Sequence, residues 1–288
     1  MRDLHAKPNP TSQSQITPPS LRATPSSFYW AMRILPRIKR DAIFEVYSFC
    51  REVDDIADGA LPVDEKIELL NEWRHRIDDV MDGTEAVSFS DGFSKTIMHY
   101  GINRDDLFAV INGMETDAVE KVTIANMDEL NIYMDRVASA VGKISNKIFG
   151  LKGEQADNLA VNLGRALQLT NILRDIVEDA SLGRIYIPQS VLEKYSVQKT
   201  EADGILKDEN LPKVLDFMAT LAQEYYQKAH NNLMALPRGP SRPVRIMKAV
   251  YGRVLEKMIN NGWRYPYAPT RISKIEKIFI AAKAAFLA

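Results

Sequence analysis

Two aspartate pairs mark where this 288-residue sequence could do chemistry: Asp54/Asp58 in CREVDDIAD and Asp175/Asp179 in NILRDIVED. On an α-helix the two members of an Asp-x-x-x-Asp pair share a face and are offset by roughly 6 Å along the axis. Carboxylates held that close repel one another unless a cation or a proton intervenes. Hard oxygen donors at this spacing suit magnesium, which keeps several waters and completes its octahedron with phosphate oxygens. Two such pairs facing each other would hold a metal cluster around a diphosphate.

Taken alone, either pair is an ordinary solvated helix face. The surrounding sequence argues for more. Tyr47, Arg51, Asp54 and Asp58 fall at relative positions 0, 4, 7 and 11, and Gln168, Asn171, Asp175 and Asp179 at 0, 3, 7 and 11. Each set occupies one helical face. Phe44, Val46, Phe49, Val53 and Ile56 flank the first stripe, and Leu167, Leu169, Ile172, Leu173 and Ile176 the second. Helices with such apolar surroundings have little solvent face to spare, so the stripes are expected to line an internal cavity. A calcium loop fits less well. DDIADGALPVDE places Asp54, Asp58, Gly59 and Glu65 at loop positions 1, 5, 6 and 12, but position 3 is Ile56, which cannot coordinate.

The elements that must present these stripes read as helices. Hydrophobic residues at 45% and charged residues at 26% place the chain with globular proteins. From about Ser26 onward apolar residues recur at helical spacing, and alternating strand patterns are hard to find. The expected fold is all-α, with helices near 26–35, 37–58, 64–82, 91–100, 104–120, 127–150, 154–180, 188–195, 211–236, 241–262 and 271–287. Pro36, Gly59 with Pro62, Gly83, Gly101, Gly153, Gly183 with Pro188, and Pro237 with Gly239 supply the breaks. Residues 1–24, rich in Pro, Ser and Thr, are expected to form a disordered leader without the apolar run of a secretory signal.

A net charge of -1 offers no basic field for nucleic acid. The single Cys50 excludes an intramolecular disulfide and favours a reducing, cytoplasmic setting. His5, His75, His99 and His230 are scattered without a zinc pattern. There is no glycine-rich dinucleotide fingerprint after a strand, so no NADPH requirement is expected.

CREVDDIAD at 50–58 and NILRDIVEDASLGRIYIP at 171–188 resemble the two signatures of the squalene/phytoene synthase family. SSFYWAMRILP at 26–36, GMETD at 113–117 and YMDRVASAVG at 133–142 extend the resemblance through most of the chain after residue 24. It implies a single isoprenoid synthase helical bundle over 25–288, built around a deep central cavity with the aspartate pairs at its polar end. By matching position, Asp54, Asp58, Asn171, Asp175 and Asp179 would hold two or three magnesium ions. Tyr47, Arg51, Gln168 and Arg174 would surround the diphosphate, with Ser27 and Phe28 contributing from the opening segment and Tyr133 from across the cavity. SSFYWAMRILP, DRVASAVG and GRIYIP look most like the bacterial subgroup that makes presqualene diphosphate in squalene and hopanoid biosynthesis. Phytoene and dehydrosqualene formation are the alternatives within the family, and a noncatalytic helical assembly or lipid-binding factor is the alternative outside enzymology. Met134 stands where the family pattern usually has Cys, and the family's C-terminal basic position is displaced, leaving Arg271 as its counterpart.

The resemblance assigns the chemistry as follows. Metal ions and Arg51 or Arg174 would stabilise the departing diphosphate of one farnesyl diphosphate. The double bond of a second farnesyl diphosphate would capture the allylic cation, and Tyr133 or the released diphosphate would handle the lost proton. Asp54, Asp175, Arg174 and Tyr133 are the catalytic candidates. Phe28, Tyr47 and Tyr133 could offer aromatic faces to the cation, although aromatics at helical spacing are usually core. Tyr186, in a loop bracketed by Gly183 and Pro188, could close over the cavity. The tail ISKIEKIFIAAKAAFLA mixes Ile272, Ile275, Ile278, Phe279 and Phe286 with Lys274, Lys277 and Lys283, a pattern suited to weak contact with anionic lipid at the inner face of the membrane. A downstream squalene-forming enzyme is the expected partner.

Overall fold

The structure, a computed structural model, describes residue 32 and residues 34–84, 91–198, 201–263 and 272–286. The proposed leader, Ser27, Phe28 and Arg271 lie outside the described residues. Elements in chain order are α1 (Arg37–Asp58), α2 (Val63–Asp82), α3 (Asp91–Tyr100), α4 (Arg104–Asp117), β1 (Val122–Thr123), α5 (Met127–Met134), a π-helical turn (Asp135–Ser139), α6 (Ala140–Phe149), α7 (Glu154–Ser181), β2 (Arg184–Ile185), α8 (Gln189–Lys194), α9 (Ala202–Leu206), α10 (Leu211–Met234), α11 (Arg238–Asn260) and α12 (Lys274–Phe286).

The helical periodicity of the sequence becomes a layered core. α7 lies at the centre, packed against α6, α10 and α11, and buries Leu159, Leu163, Leu169, Ile172, Leu173 and Ile176. At one end Phe49 of α1, Trp73 of α2 and Phe93 of α3 form a ring cluster, with Phe49 5.2 Å from both partners between centroids. Each large side chain fully removed from water there contributes about 1.5–3 kcal/mol. Gly164 allows a close approach to backbone: a Cβ at this position would lie 2.8 Å from the Cα and N of Ser139. The glycine thus lets α7 press against the π-helical turn.

Most expected helices are present among the described residues, the one expected over 26–35 lying largely outside them, and each departure comes with a specific contact or sequence feature. The helix anticipated over 127–150 is interrupted by the π-helical turn, where Arg165 of α7 forks onto Asp135 at 2.8 and 2.6 Å and Ser139 Oγ donates to Asp135 Oδ1 at 2.9 Å. Pro237 and Gly239 were expected to keep the chain non-helical until 241, yet α11 starts at Arg238 with Pro240 in its first turn and Pro243 inside it. The first amides of a helix have no intrahelical acceptor, so Pro240 sacrifices nothing there. The short α9, with Gly204 inside it, was not anticipated. The chain is also not wholly helical: β1 and β2 form a two-residue parallel bridge, Val122 opposite Arg184 and Thr123 opposite Ile185. Gly183 makes this bridge feasible. Its φ of 76° is left-handed, and a Cβ would sit 3.0 Å from the Glu120 carbonyl oxygen.

Candidate active site

α1 carries Asp54 and Asp58, α7 carries Asp175 and Asp179, and β2 delivers a residue between them. Arg184 Nη1 lies 2.8 Å from Asp58 Oδ1, and Nη2 donates to the backbone carbonyl of Asp117 at 3.0 Å. The same guanidinium favours ionisation of Asp54, Asp117 and Asp179. One cation therefore ties both aspartate pairs into a single electrostatic unit.

Around it the carboxylates are under strain. Burial, then the neighbouring Asp175 charge, pushes Asp179 up to about 7 despite Arg184. Burial and Asp58 likewise raise Asp54, against the pull of Arg51. Asp117, at the end of α4, is pushed up to about 6 by burial, although Tyr186 and Tyr133 both donate to its carboxylate. The Tyr186 hydroxyl is 2.7 Å from Asp117 Oδ1 and the Tyr133 hydroxyl 3.1 Å from Oδ2. The two tyrosine rings stack at 4.9 Å, both nearly fully buried. Burial first, and the Asp117 charge next, raise both phenols, so they remain protonated donors at neutral pH.

The second stripe contains a group that lacks a partner. Asn171 Nδ2 donates weakly to Gln168 Oε1 at 3.4 Å, while Asn171 Oδ1 is buried without any hydrogen bond. A buried carbonyl oxygen in that condition costs about 1–3 kcal/mol, a penalty that an electrophilic ligand would remove. Arg174 forks onto Asp175 through Nε at 2.7 Å and through Nη2. Burial works against its charge, but Asp175 and the Tyr251 hydroxyl of α11 more than offset this and raise its pKa.

Several expectations change here. The stripe on α1 does not line a closed cavity among the described residues: Tyr47 is 39% exposed, and the Asp54 and Asp58 side chains are 40% and 49% exposed. Polar side chains at the rim of a bundle keep contact with water even when their backbone is packed. Arg51 spans Asp54 at 2.8 Å and Asp55 at 2.7 Å, ion-paired along its own helix face. Among the described residues no three His, Cys, Asp or Glu side chains converge as a ready ligand set. Tyr186, in the segment expected to close over the cavity, is buried and donates to Asp117. Arg184 and Asp117 carried no assigned role in the sequence reading, although both lie inside the quoted segments GRIYIP and GMETD. Their spacing along the chain gives no periodic signal, because the β1–β2 bridge brings them together.

Comparisons with known proteins identify the family and the fold. The squalene/phytoene synthase family pattern matches residues 21–276. The chain is 39% identical over 277 residues to presqualene diphosphate synthase of Rhodopseudomonas palustris, covering 96% of this chain and 97% of that one. It is 32% identical over 244 residues to phytoene synthase of Mycobacterium tuberculosis, covering 84% and 80%. A crystal structure of a dehydrosqualene synthase with a ligand superposes with a TM-score of 0.74 at 23% identity, covering 90% of each chain, which shows the shared all-α isoprenoid synthase fold. With the family pattern spanning nearly all of its helical body, the chain belongs to the squalene/phytoene synthase family.

Proposed function

We propose that this protein joins two farnesyl diphosphates head to head (1'-1), releasing diphosphate and forming presqualene diphosphate for squalene and hopanoid biosynthesis. The observation that carries the reading is the Arg184–Asp58 contact, which unites two acidic pairs with the Asp117–Tyr133–Tyr186 cluster behind them. The near full-length relationship to presqualene diphosphate synthases favours this product over phytoene, whose synthases are more distant.

The donor set fits magnesium. Hard carboxylates with raised pKa values and an orphaned amide oxygen at Asn171 are stabilised together by divalent cations, and ions of this class leave positions for phosphate oxygens and water. Asp54, Asp58, Asn171, Asp175 and Asp179 would hold two or three ions. When bound, magnesium would neutralise charge developing on the leaving diphosphate.

The chain's own side chains do the rest. Arg174, fixed by Asp175 and Tyr251, presents a rigid donor to the diphosphate, with Gln168 beside it and Arg51 and Tyr47 at the α1 rim. Ser27 and Phe28 would complete the substrate contacts. Arg184 pairs with Asp58 and favours the ionised, metal-binding forms of Asp54 and Asp179 against the burial that opposes them. Tyr133 holds its proton toward Asp117, which orients the hydroxyl beside the stacked face of Tyr186. That pair offers aromatic surface to a carbocation and a route for the lost proton, with the released diphosphate as the competing base. No reductive step is assigned to this chain. We place the protein in the cytoplasm with weak peripheral contact at the inner face of the membrane, handing its product to a squalene-forming enzyme.

The test is to incubate purified protein with farnesyl diphosphate and magnesium, following diphosphate release and identifying the product by mass spectrometry. Presqualene diphosphate supports the proposal. Phytoene from geranylgeranyl diphosphate would move the chain to the carotenoid branch, and no diphosphate release at all would indicate a noncatalytic role.

A further inference from the structure

α10 and α11 both pack on α7, and between them lies an open groove of about 200 Å³. Gln223 and Gln227 of α10 and Lys248 and Glu256 of α11 line it, with Tyr226 and Leu255 as apolar walls. Gly252 keeps the groove open, because no neighbouring atom stands within 4 Å of where a Cβ would be. Lys248 is half-buried here, and among the described residues its ammonium has neither a carboxylate partner nor a hydrogen-bond acceptor. Burial, and then the charge of Arg245 one turn earlier, hold its pKa below the ordinary lysine range. Arg245 is itself buried and donates only to neutral oxygens, Ser241 Oγ at 3.1 Å and the Leu233 carbonyl at 2.6 Å. The carboxylate that lines the groove, Glu256, is held by Arg253 at 2.8 Å. A desolvated cation without a counter-ion is costly until a ligand brings the opposite charge.

We propose that this groove binds a small phosphate-class oxyanion, held by the Lys248 ammonium and the Gln223 and Gln227 amides, at a second site apart from the aspartate pairs. Charge selects the class. Two neighbouring cations without carboxylates call for more than one negative charge, which phosphate, diphosphate and phosphate monoesters carry and a simple carboxylate does not. The amides supply the remaining donors. Gln227 gives one amide hydrogen to Asn231 Oδ1 at 3.2 Å and keeps the other, and Gln223 is exposed. Tyr226 joins the groove to α7: its hydroxyl is 3.0 Å from the Thr170 hydroxyl and within electrostatic reach of Arg174. Cationic and amide donors hold an anion without magnesium, so the site is separable from the metal-dependent one. The inference does not rest on the proposed reaction, because binding is read without turnover.

The experiment is isothermal titration calorimetry of the full chain in chelator with inorganic phosphate, inorganic diphosphate, glycerol 3-phosphate and, for contrast, acetate. The wild type binds the three phosphate compounds and not acetate. Lys248→Met keeps the apolar stem without the charge and binds them about tenfold more weakly, the loss of one charge-assisted contact. Gln223→Glu, an exposed change that adds a negative charge, weakens binding as well. Both variants keep the circular-dichroism signal and the rate of diphosphate release from farnesyl diphosphate with magnesium. Arg174→Gln, which alters the active site, retains the metal-free binding of inorganic phosphate. Preference for inorganic diphosphate assigns the groove to the reaction's by-product and preference for glycerol 3-phosphate to an organic phosphate; either supports the site. The proposal is overturned if no phosphate compound binds in chelator, if Lys248→Met binds as tightly as the wild type, or if Arg174→Gln abolishes binding. Equal affinity for acetate overturns the choice of phosphate. Absence of diphosphate release would count against the enzyme reading alone.

Discussion

Arg184 Nη1 stands 2.8 Å from Asp58 Oδ1, joining the strand residue after α7 to the last turn of α1. Because the Arg184 charge also favours the ionised forms of Asp54 and Asp179, removing it leaves each carboxylate harder to ionise. Arg184→Gln is expected to lower kcat by about 10–100-fold, in line with loss of one organising charge. It should also raise the magnesium concentration needed for half-maximal rate, with the helical circular-dichroism signal unchanged. A variant with normal magnesium dependence would remove Arg184 from the site.

Asp117 gives a pH signature. Its folded pKa of about 6 lies above the ordinary aspartate value of 3.8, so the folded state holds this proton more tightly than the unfolded one. The resulting stability is fully present below about pH 4 and is lost as pH rises through 6. The difference corresponds to about 3 kcal/mol. In chelator, the wild type should lose stability relative to Asp117→Asn across that window, read from urea unfolding at several pH values. A pH-independent difference between the two proteins would contradict the assignment.

Asn171 separates stability from function. Its Oδ1 is buried and without a hydrogen-bond partner. Asn171→Leu removes the unsatisfied oxygen at similar volume, so it is expected to raise metal-free stability by about 1 kcal/mol. It should also depress diphosphate release by at least tenfold and abolish the rise in Tm that magnesium with inorganic diphosphate produces in the wild type. Equal magnesium stabilisation of both proteins would show that Asn171 is not a ligand.

The stripes on α1 and α7 were legible because helical periodicity places residues at 0, 7 and 11 on one face. The bounds of α1 follow from Pro36 and Gly59 for the same local reason. What the sequence did not reveal is carried by tertiary contact. Arg184 reaches Asp58 because a two-residue bridge, too short for any alternating pattern, sets its direction. The π-helical turn is invisible to a 3.6-residue period, and the Arg165–Asp135 pair at its start joins residues 30 apart in the chain. Arg51 was legible as a stripe member, but the choice between phosphate and the adjacent Asp55 depends on rotamers, which spacing does not specify.

That turn also makes the last prediction. Gly164 leaves room for the backbone of Ser139, and a methyl group there would sit 2.8 Å from two backbone atoms. Backbone cannot swing aside as a side-chain tip does, so Gly164→Ala must displace the turn that follows Tyr133 on α5. The expected cost is about 1–3 kcal/mol, near the range for overpacked cores. For a chain of this size that corresponds to a fall in Tm of roughly 2–4 °C per kcal/mol. Turnover should fall as well, because the Tyr133–Asp117 contact moves with the turn. Gly252 on α11 supplies the control: a Cβ there meets nothing within 4 Å. Gly252→Ala relieves helix-interior glycine entropy and should stabilise by about 0.5–1 kcal/mol. If both substitutions shifted Tm in the same direction, close packing of α7 on the π-helical turn would not be what Gly164 provides.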